Sequence, residues 1–226
     1  MPEIIKTNPN HLARHLIQHL IDRFGYTTYF ELGTRGFHTF NFIRCPVKQG
    51  IDPELHHEMV DRRDSEKLSL YPFESDKYFA YNHDPFDIAF IDGLHESQQV
   101  IRDIVSCYNS LLPNGRIVLH DHLPTCVEQA TPGTSWSQNP QDVWKGLTWF
   151  RHEYPDIESC VLNMDWGLGV IYKKPTDPDT IEVRGQDWVV NLDFEWYMRC
   201  RKEALNVVRS YEGYVVPAEA IHDQRV

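Results

Sequence analysis

The sequence predicts an α/β fold: a doubly wound, mostly parallel sheet with helices on both faces. Strand-like and helix-like segments alternate at least four times, as right-handed βαβ units do. One of the strands, Phe86 to Asp92, is an almost continuous apolar run, as expected of a strand buried on both faces of a parallel sheet. The chain of 226 residues is 41% hydrophobic and 12% aromatic, enough apolar material for one packed domain.

The elements follow in order. Asn8 as an N-cap and Pro9 at the first helical position open a helix over residues 9–24. Its apolar stripe is Leu12, Leu16, Ile17, Leu20, Ile21 and Phe24, and Gly25 closes it. A β-rich run, Thr27 to Leu32, stops at Gly33; a helix spans His38 to Arg44 and a second strand Val47 to Asp52. The charged stretch from Pro53 to Glu66 reads as a short helix and loop, Lys67–Tyr71 as a third strand and Ser75–Asn82 as a short helix. The turn-forming His83-Asp84-Pro85 introduces the apolar strand, and a helix then carries Val100, Ile101, Ile104, Val105, Tyr108 and Leu111 inward. Pro113-Asn114-Gly115 ends that helix before the strand Arg116–His120. Residues 121–141 lack periodicity and hold three prolines, the mark of a long loop that is either functional, with Trp136 as a lid or pocket wall, or disordered at its tip. A helix around Val143–His152, strands at Ser159–Leu162 and Gly167–Lys173, a helix from Asp193 to Val208 and a polar tail complete the chain. The expected organisation is one domain over 1–226, with its core at about 26–175 and a C-terminal extension at 176–226.

Composition excludes several classes of function. With 22 basic and 33 acidic residues the formal charge is −11, which repels phosphate backbones and anionic lipid, so neither nucleic acid nor membrane is expected as a partner. Five widely spaced cysteines without a C-x-x-C argue against a disulfide scaffold or zinc ribbon and fit a reducing, cytoplasmic setting. The first residues contain no apolar core of a signal peptide, and no run approaches the ~20 apolar residues of a membrane span. A homo-oligomer is compatible with all of this.

Ligands of doubly wound sheets bind at the carboxyl ends of the strands, beside the switch in strand order. Glu31-Leu32-Gly33-Thr34-Arg35-Gly36 leaves the first strand and enters a helix there, and glycine permits the sharp turn and close approach of a ligand. Asp52 ends the second strand 21 residues after Glu31, where an acid accepts hydrogen bonds from ribose hydroxyls. The dinucleotide pattern G-x-G-x-x-G is absent, and a tight turn alone also accounts for Gly33 and Gly36.

The segment from Glu31 to Thr39 resembles the E-x-G-x-x-x-G-x-T element of class I S-adenosylmethionine-dependent methyltransferases. The resemblance continues to Lys173 through Phe86–His95 (F-D-x-x-F-I-D-G-x-H), Pro113–Asp121 (P-G-G-x-I-V-x-H-D) and Val143-Trp144-Lys145. Two departures stand out: the second glycine falls one position early, at Gly36, leaving Phe37 in its place, and Asn114 replaces a glycine. The resemblance implies S-adenosylmethionine as cofactor, bound by Glu31, Gly33, Gly36, Asp52 and Asp92, with Glu74 and Ser75 bordering the adenine. Simple capping of the helix that starts there accounts for Glu74 and Ser75 equally well.

Asp92 and Asp121 end strands expected to be neighbours, and two carboxylates so placed repel unless a cation lies between them. The pattern is similar to that of metal-dependent catechol-type O-methyltransferases, which place an Asp after the fourth strand and an Asp-Asn pair after the fifth. Asp121-His122 takes the place of that pair, so the resemblance implies a site for Mg²⁺ or another divalent metal at Asp92, Asp121 and His122. His120 flanks Asp121 on the other face, and only one of the two imidazoles is expected to reach the site. The family's basic residue falls on His95, which as catalytic base would take the proton of a hydroxyl on a small-molecule acceptor. Three other readings stay open: a metal-free version in which His95 alone acts as base and the acids orient cofactor and substrate, a metal-dependent hydroxylase or oxygenase on the same fold, and a non-catalytic binding domain, to which the departure at Phe37 points.

Overall fold

The computed structural model of the chain describes residues 12–63, 66–82, 84–133, 140–216 and 218–222. The expected Asn8-Pro9 helix start, His83 and the lid candidate Trp136 lie outside the described residues.

In chain order the elements are α1 (Ala13–Phe24), β1 (Thr28–Leu32), α2 (His38–Phe42), β2 (Val47–Ile51), β3 (Lys67–Tyr71), α3 (Ser75–Tyr81), β4 (Phe86–Ile91) and α4 (Ser97–Ser110). There follow β5 (Leu111–Leu119), α5 (Trp144–Glu153), β6 (Ser159–Leu162), β7 (Leu168–Tyr172), α6 (Asp187–Val190), α7 (Phe194–Ala204), β8 (Val207–Val208), β9 (Ser210–Tyr211) and β10 (Tyr214–Val215). The main sheet has the order β3-β2-β1-β4-β5-β7-β6-β8. The first five of these strands run parallel, and β7 is antiparallel to both β5 and β6. The strand order therefore reverses between β1 and β4, and the doubly wound, mostly parallel sheet is as expected.

Period-two alternation sends side chains to two cores, one on each face of the sheet. Tyr29, Ile88, Phe90 and Val118 pack with Leu16, Ile17 and Leu20 of α1, whose C-terminus closes at Gly25 in the left-handed region (φ 67°). Phe30, Ala89, Ile91, Ile117 and Leu119 face the other way, onto α3, α4 and α5. Phe30 is fully buried and stacks on Phe86 with ring centroids 4.8 Å apart, so truncation to Ala would cost about 3–5 kcal/mol.

Three boundaries differ from expectation, each for a local reason. Pro113-Asn114-Gly115 does not precede a strand but bulges from one: pairing runs Phe86↔Leu111 and resumes at Ile88↔Arg116. Asn114 has φ 67°, and a Cβ on Gly115 would lie 2.6 Å from the Asp87 carbonyl oxygen. The C-terminal helix stops at Ala204, because Asn206 turns left-handed and hands Val207–Val208 to the edge of β6. The polar tail contains the β9–β10 hairpin, whose Glu212 and Gly213 both have positive φ, as a two-residue turn requires.

Candidate active site

At the switch point, the carboxyl ends of β1, β2 and β4 and the loop after β3 enclose a cavity of about 950 Å³. Its size is that of a small-molecule site. Gly33 (φ 93°) leads out of β1, and a Cβ there would lie 1.9 Å from the Asp92 carbonyl oxygen. Glycine is thus the residue that lets the β1–α2 loop lie against the end of β4. Gly36 lacks this requirement, since a Cβ on it would meet only the His38 ring at 3.2 Å. The left-handed residue of the loop is instead Phe37 (φ 58°), whose ring is fully buried against Phe40 and leaves the cavity open.

Glu31 is buried at 2% exposure, and the Tyr29 hydroxyl donates to it. Burial, with the nearby Asp92 charge adding to it, pushes its pKa up to about 8. Asp52 accepts the Arg35 N–H at 3.0 Å through Oδ2 and the Glu54 N–H at 2.7 Å through Oδ1, which braces the loop while each oxygen retains a lone pair for a ligand. Glu74 and Ser75 line the cavity, and neither side chain caps α3. The Ser75 hydroxyl donates to Asp103 Oδ1 at 2.6 Å, and Gln99 Nε2 donates to the same carboxylate oxygen at 2.9 Å. Asp103, on the inner face of α4, was not singled out in the sequence; burial pushes its pKa up to about 6. A charged residue inside the apolar stripe Val100–Ile104–Tyr108 was the available signal.

Four side chains converge at the reaction end of the cavity. His95 Nε2 lies 3.4 Å from Asp92 Oδ1, and His95 Nδ1 lies 3.5 Å from Asp121 Oδ2. His120 Nδ1 is 3.3 Å from Asp92 Oδ1 and 3.3 Å from Asp121 Oδ1. One ligand atom each from Asp92, His95 and Asp121 fall within 4.8 Å of one another, a donor set of two oxygens and one nitrogen suited to a divalent cation. Burial alone would raise the Asp92 carboxyl, but His120 and then His95 hold it well below the usual carboxylate range. Burial likewise opposes charge on His120, yet Asp121 and Asp92 outweigh it and hold the ring well above its ordinary value. Asp121 itself has φ 69°, a left-handed conformation uncommon outside glycine and frequent where a side chain is re-aimed at a site.

His122 is the correction. It is fully buried on the other side of the strand end, beside a void of about 10 Å³ bordered by Val100, Leu119 and Val143. Burial pushes its pKa down to about 3, so the ring is neutral. The turn at Asp121 gives the cavity to His120 instead. All five cysteines are free thiols, three of them buried. Among the described residues no helix is long and apolar enough to cross a membrane.

Comparison with known proteins places this geometry. Residues 30–122 match the family model described as a methyltransferase domain. A search of curated protein sequences returns no match. Among solved structures, an O-methyltransferase-like protein of Klebsiella pneumoniae superposes with a TM-score of 0.56 at 14% identity, over 76% of this chain and 92% of that one. The O-methyltransferase of Bacillus cereus in complex with SAH, S-adenosylhomocysteine, superposes with a TM-score of 0.50 at 14% identity, over 72% of this chain and 79% of that one. MycE methyltransferase of the mycinamycin pathway, crystallised with Mg, SAH and mycinamycin VI, gives a TM-score of 0.51 at 16% identity. That alignment covers 76% of this chain and 52% of MycE. The chain therefore has the fold of the class I S-adenosylmethionine-dependent methyltransferases, and its residues 30–122 match the methyltransferase-domain model.

Proposed function

We propose that the protein transfers a methyl group from S-adenosylmethionine to a hydroxyl of a small-molecule acceptor, assisted by a divalent cation. The observation that carries this reading is the meeting of Asp92, His95 and Asp121 at one end of a cavity whose other walls carry Gly33, Asp52 and Ser75. In this reading Asp52 faces the ribose, Glu74 and Ser75 border the adenine, and Glu31 lies toward the amino-acid portion of the cofactor. S-adenosylmethionine supplies a methyl on a sulfonium, which an oxygen nucleophile attacks in line. A divalent cation would neutralise the paired carboxylates and acidify the acceptor hydroxyl.

Asp92 and Asp121 would hold the cation, completed by His120, whose Nδ1 lies 3.3 Å from an oxygen of each, so that His95 of the three-residue cluster acts as base rather than ligand. His95, on the loop leading into α4, is the base that receives the hydroxyl proton. His120 is favoured as the ligating imidazole because its second nitrogen, Nε2, faces the carboxylate of Asp165 at 3.6 Å, the arrangement that fixes a ligating histidine. The Bacillus cereus structure with SAH and the MycE structure with Mg support cofactor and cation in this fold.

The test is methyl transfer from labelled S-adenosylmethionine to a panel of phenolic and sugar hydroxyls, with and without EDTA. Activity abolished by EDTA and restored by Mg²⁺ or Mn²⁺ is expected. Equal turnover in EDTA removes the cation, and absence of SAH binding in calorimetry removes the cofactor. One observation favours a second reading: His95 and His120 both approach Asp92, a two-histidine, one-carboxylate composition that suits Fe²⁺. Oxygen consumption with Fe²⁺ and no methyl transfer would establish that chemistry.

A further inference from the structure

Behind His120 lies an acid in the turn between β6 and β7. The Asp165 side chain is 1% exposed. Its Oδ2 accepts the backbone N–H of Ala13, at the head of α1, at 2.7 Å. Its Oδ1 is buried without a hydrogen bond of ordinary geometry and faces His120 Nε2 at 3.6 Å. A buried carboxylate oxygen left unmatched is costly, and among the described residues the His120 imidazole is the cation-forming group facing it at ion-pair distance. From the opposite edge of the same ring, Nδ1 reaches Asp92 and Asp121, each at 3.3 Å. His120 is therefore strung between one acid behind and two in front.

The turn that delivers Asp165 is held in a conformation the chain would not choose alone. Asp165 (φ 47°), Trp166 (φ 61°) and Gly167 (φ 91°) are all left-handed in succession, two of them without the freedom of glycine. Neighbouring backbone imposes it. His122 N–H donates to the Gly167 carbonyl at 3.0 Å and Leu123 N–H to the Trp166 carbonyl at 2.6 Å, while a Cβ on Gly167 would lie 2.6 Å from Leu123. The clamp thus grips the residues directly after Asp121, and it fixes where the Asp165 carboxylate points.

We propose that Asp165 is a positioning residue: it binds the His120 Nε2–H and so leaves Nδ1 facing the gap between Asp92 and Asp121, where the cation would sit. The inference rests on the cation reading given above. Ligating histidines commonly give their other ring N–H to a carboxylate, which sets tautomer and orientation, and loss of that partner weakens metal affinity about 10–100-fold. The link from Oδ2 to Ala13 also ties the first turn of α1 to the reaction rim.

The experiment uses the full chain saturated with SAH. Mn²⁺ and SAH affinities are measured by calorimetry in wild type, Asp165→Asn and His120→Gln. Asn keeps the shape and an oxygen for Ala13 but turns an NH₂ toward Nε2, which then becomes the acceptor and puts the proton on Nδ1. The expected result is Mn²⁺ binding weakened at least about tenfold in both variants, with SAH affinity within about twofold of wild type. In ¹⁵N spectra of the Mg²⁺-loaded wild type, the resonance lost in His120→Gln is expected to show the Nε2–H tautomer. Wild-type Mn²⁺ affinity in Asp165→Asn, or an Nδ1–H tautomer in the wild type, overturns the role of Asp165 alone. A wild type that binds SAH but no Mn²⁺ overturns the cation reading and this inference together. Should Asp165→Asn fail to fold, the wild-type spectrum still decides.

Discussion

Asp87 and Asp92 stand at opposite ends of β4 and are used in opposite ways. Asp87 Oδ2 accepts from the backbone N–H groups of Thr27 and Thr28 at 2.8 and 2.9 Å and from both threonine hydroxyls, stitching β4 to the start of β1. At the same rim Arg116, 2% exposed, pairs with Glu212 at 2.9 Å, bonds the hydroxyls of Tyr26 and Tyr211, and lies over the Phe24 ring. Polar groups at this rim are answered from within the protein. At the other rim Asp92, His95, His120 and Asp121 face one another at 3.3–3.5 Å, longer than well-made hydrogen bonds between charged groups. One rim is closed by short bonds within the protein, and the other leaves its charged groups at longer range around a cavity.

That contrast can be broken by substitution. The largest effect is expected from Asp121→Ala. It should cut methyl transfer by about 10³-fold or more and lower the melting temperature, because His120 loses the acid that contributes most to holding its charge. Turnover assays beside SAH calorimetry check this, and a matching collapse of SAH affinity would show that the acid serves the cofactor rather than the reaction. At the closed rim, Arg116→Met should lose about 3–5 kcal/mol of folding stability in urea denaturation, since Glu212 and two tyrosine hydroxyls lose a buried partner. Activity per folded molecule should be unchanged.

Asp103 sharpens the comparison, being a buried acid near the open rim. Its folded-state pKa of about 6 exceeds the 3.8 of a free Asp, so its stabilising, protonated form is complete below about pH 4 and is lost as pH rises through 6. Asp103→Asn should therefore be more stable than wild type by about 2–3 kcal/mol at pH 7.5 and equal to it at pH 4. Melting curves across that range read the crossover, and a constant offset would show that the carboxyl is ionised throughout. The smallest effect belongs to Asp52→Ala, which should weaken SAH binding by about 1–2 kcal/mol through lost ribose hydrogen bonds. Unchanged affinity would leave Asp52 with only its bracing of Arg35 and Glu54.

The same contrast explains what could be read from the chain alone. Lys67–Tyr71 and Ser159–Leu162 match their strands to the residue, because each is a short apolar-rich segment bounded by turn or charged residues. The acids Glu31, Asp52, Asp92 and Asp121 meet at one rim because parallel strands all end on the same side, a property of topology that alternation already implies. His120 and His122 were not separable, since period two puts them on opposite faces without saying which face the cavity takes; the left-handed turn at Asp121 decides it. Asp165 lies in the turn after a strand, but β6 shares the direction of β4 only through the antiparallel pairings of β7 with β5 and with β6, and sequence reveals a strand without its direction. The two-residue strands β8, β9 and β10 are too short to carry any periodicity.

Phe37 holds a backbone shape that glycine would adopt freely, and the hydrophobic layer around Phe40, with the Phe37 N–H to Thr34 and Asn41 N–H to Phe37 backbone bonds, keeps it there. The mouth of the cavity and the packing beneath it consequently form one mechanical unit. Warming or solvent additives that loosen that layer will blunt cofactor capture before the sheet melts, so the protein should lose its ligand as an early step of thermal inactivation.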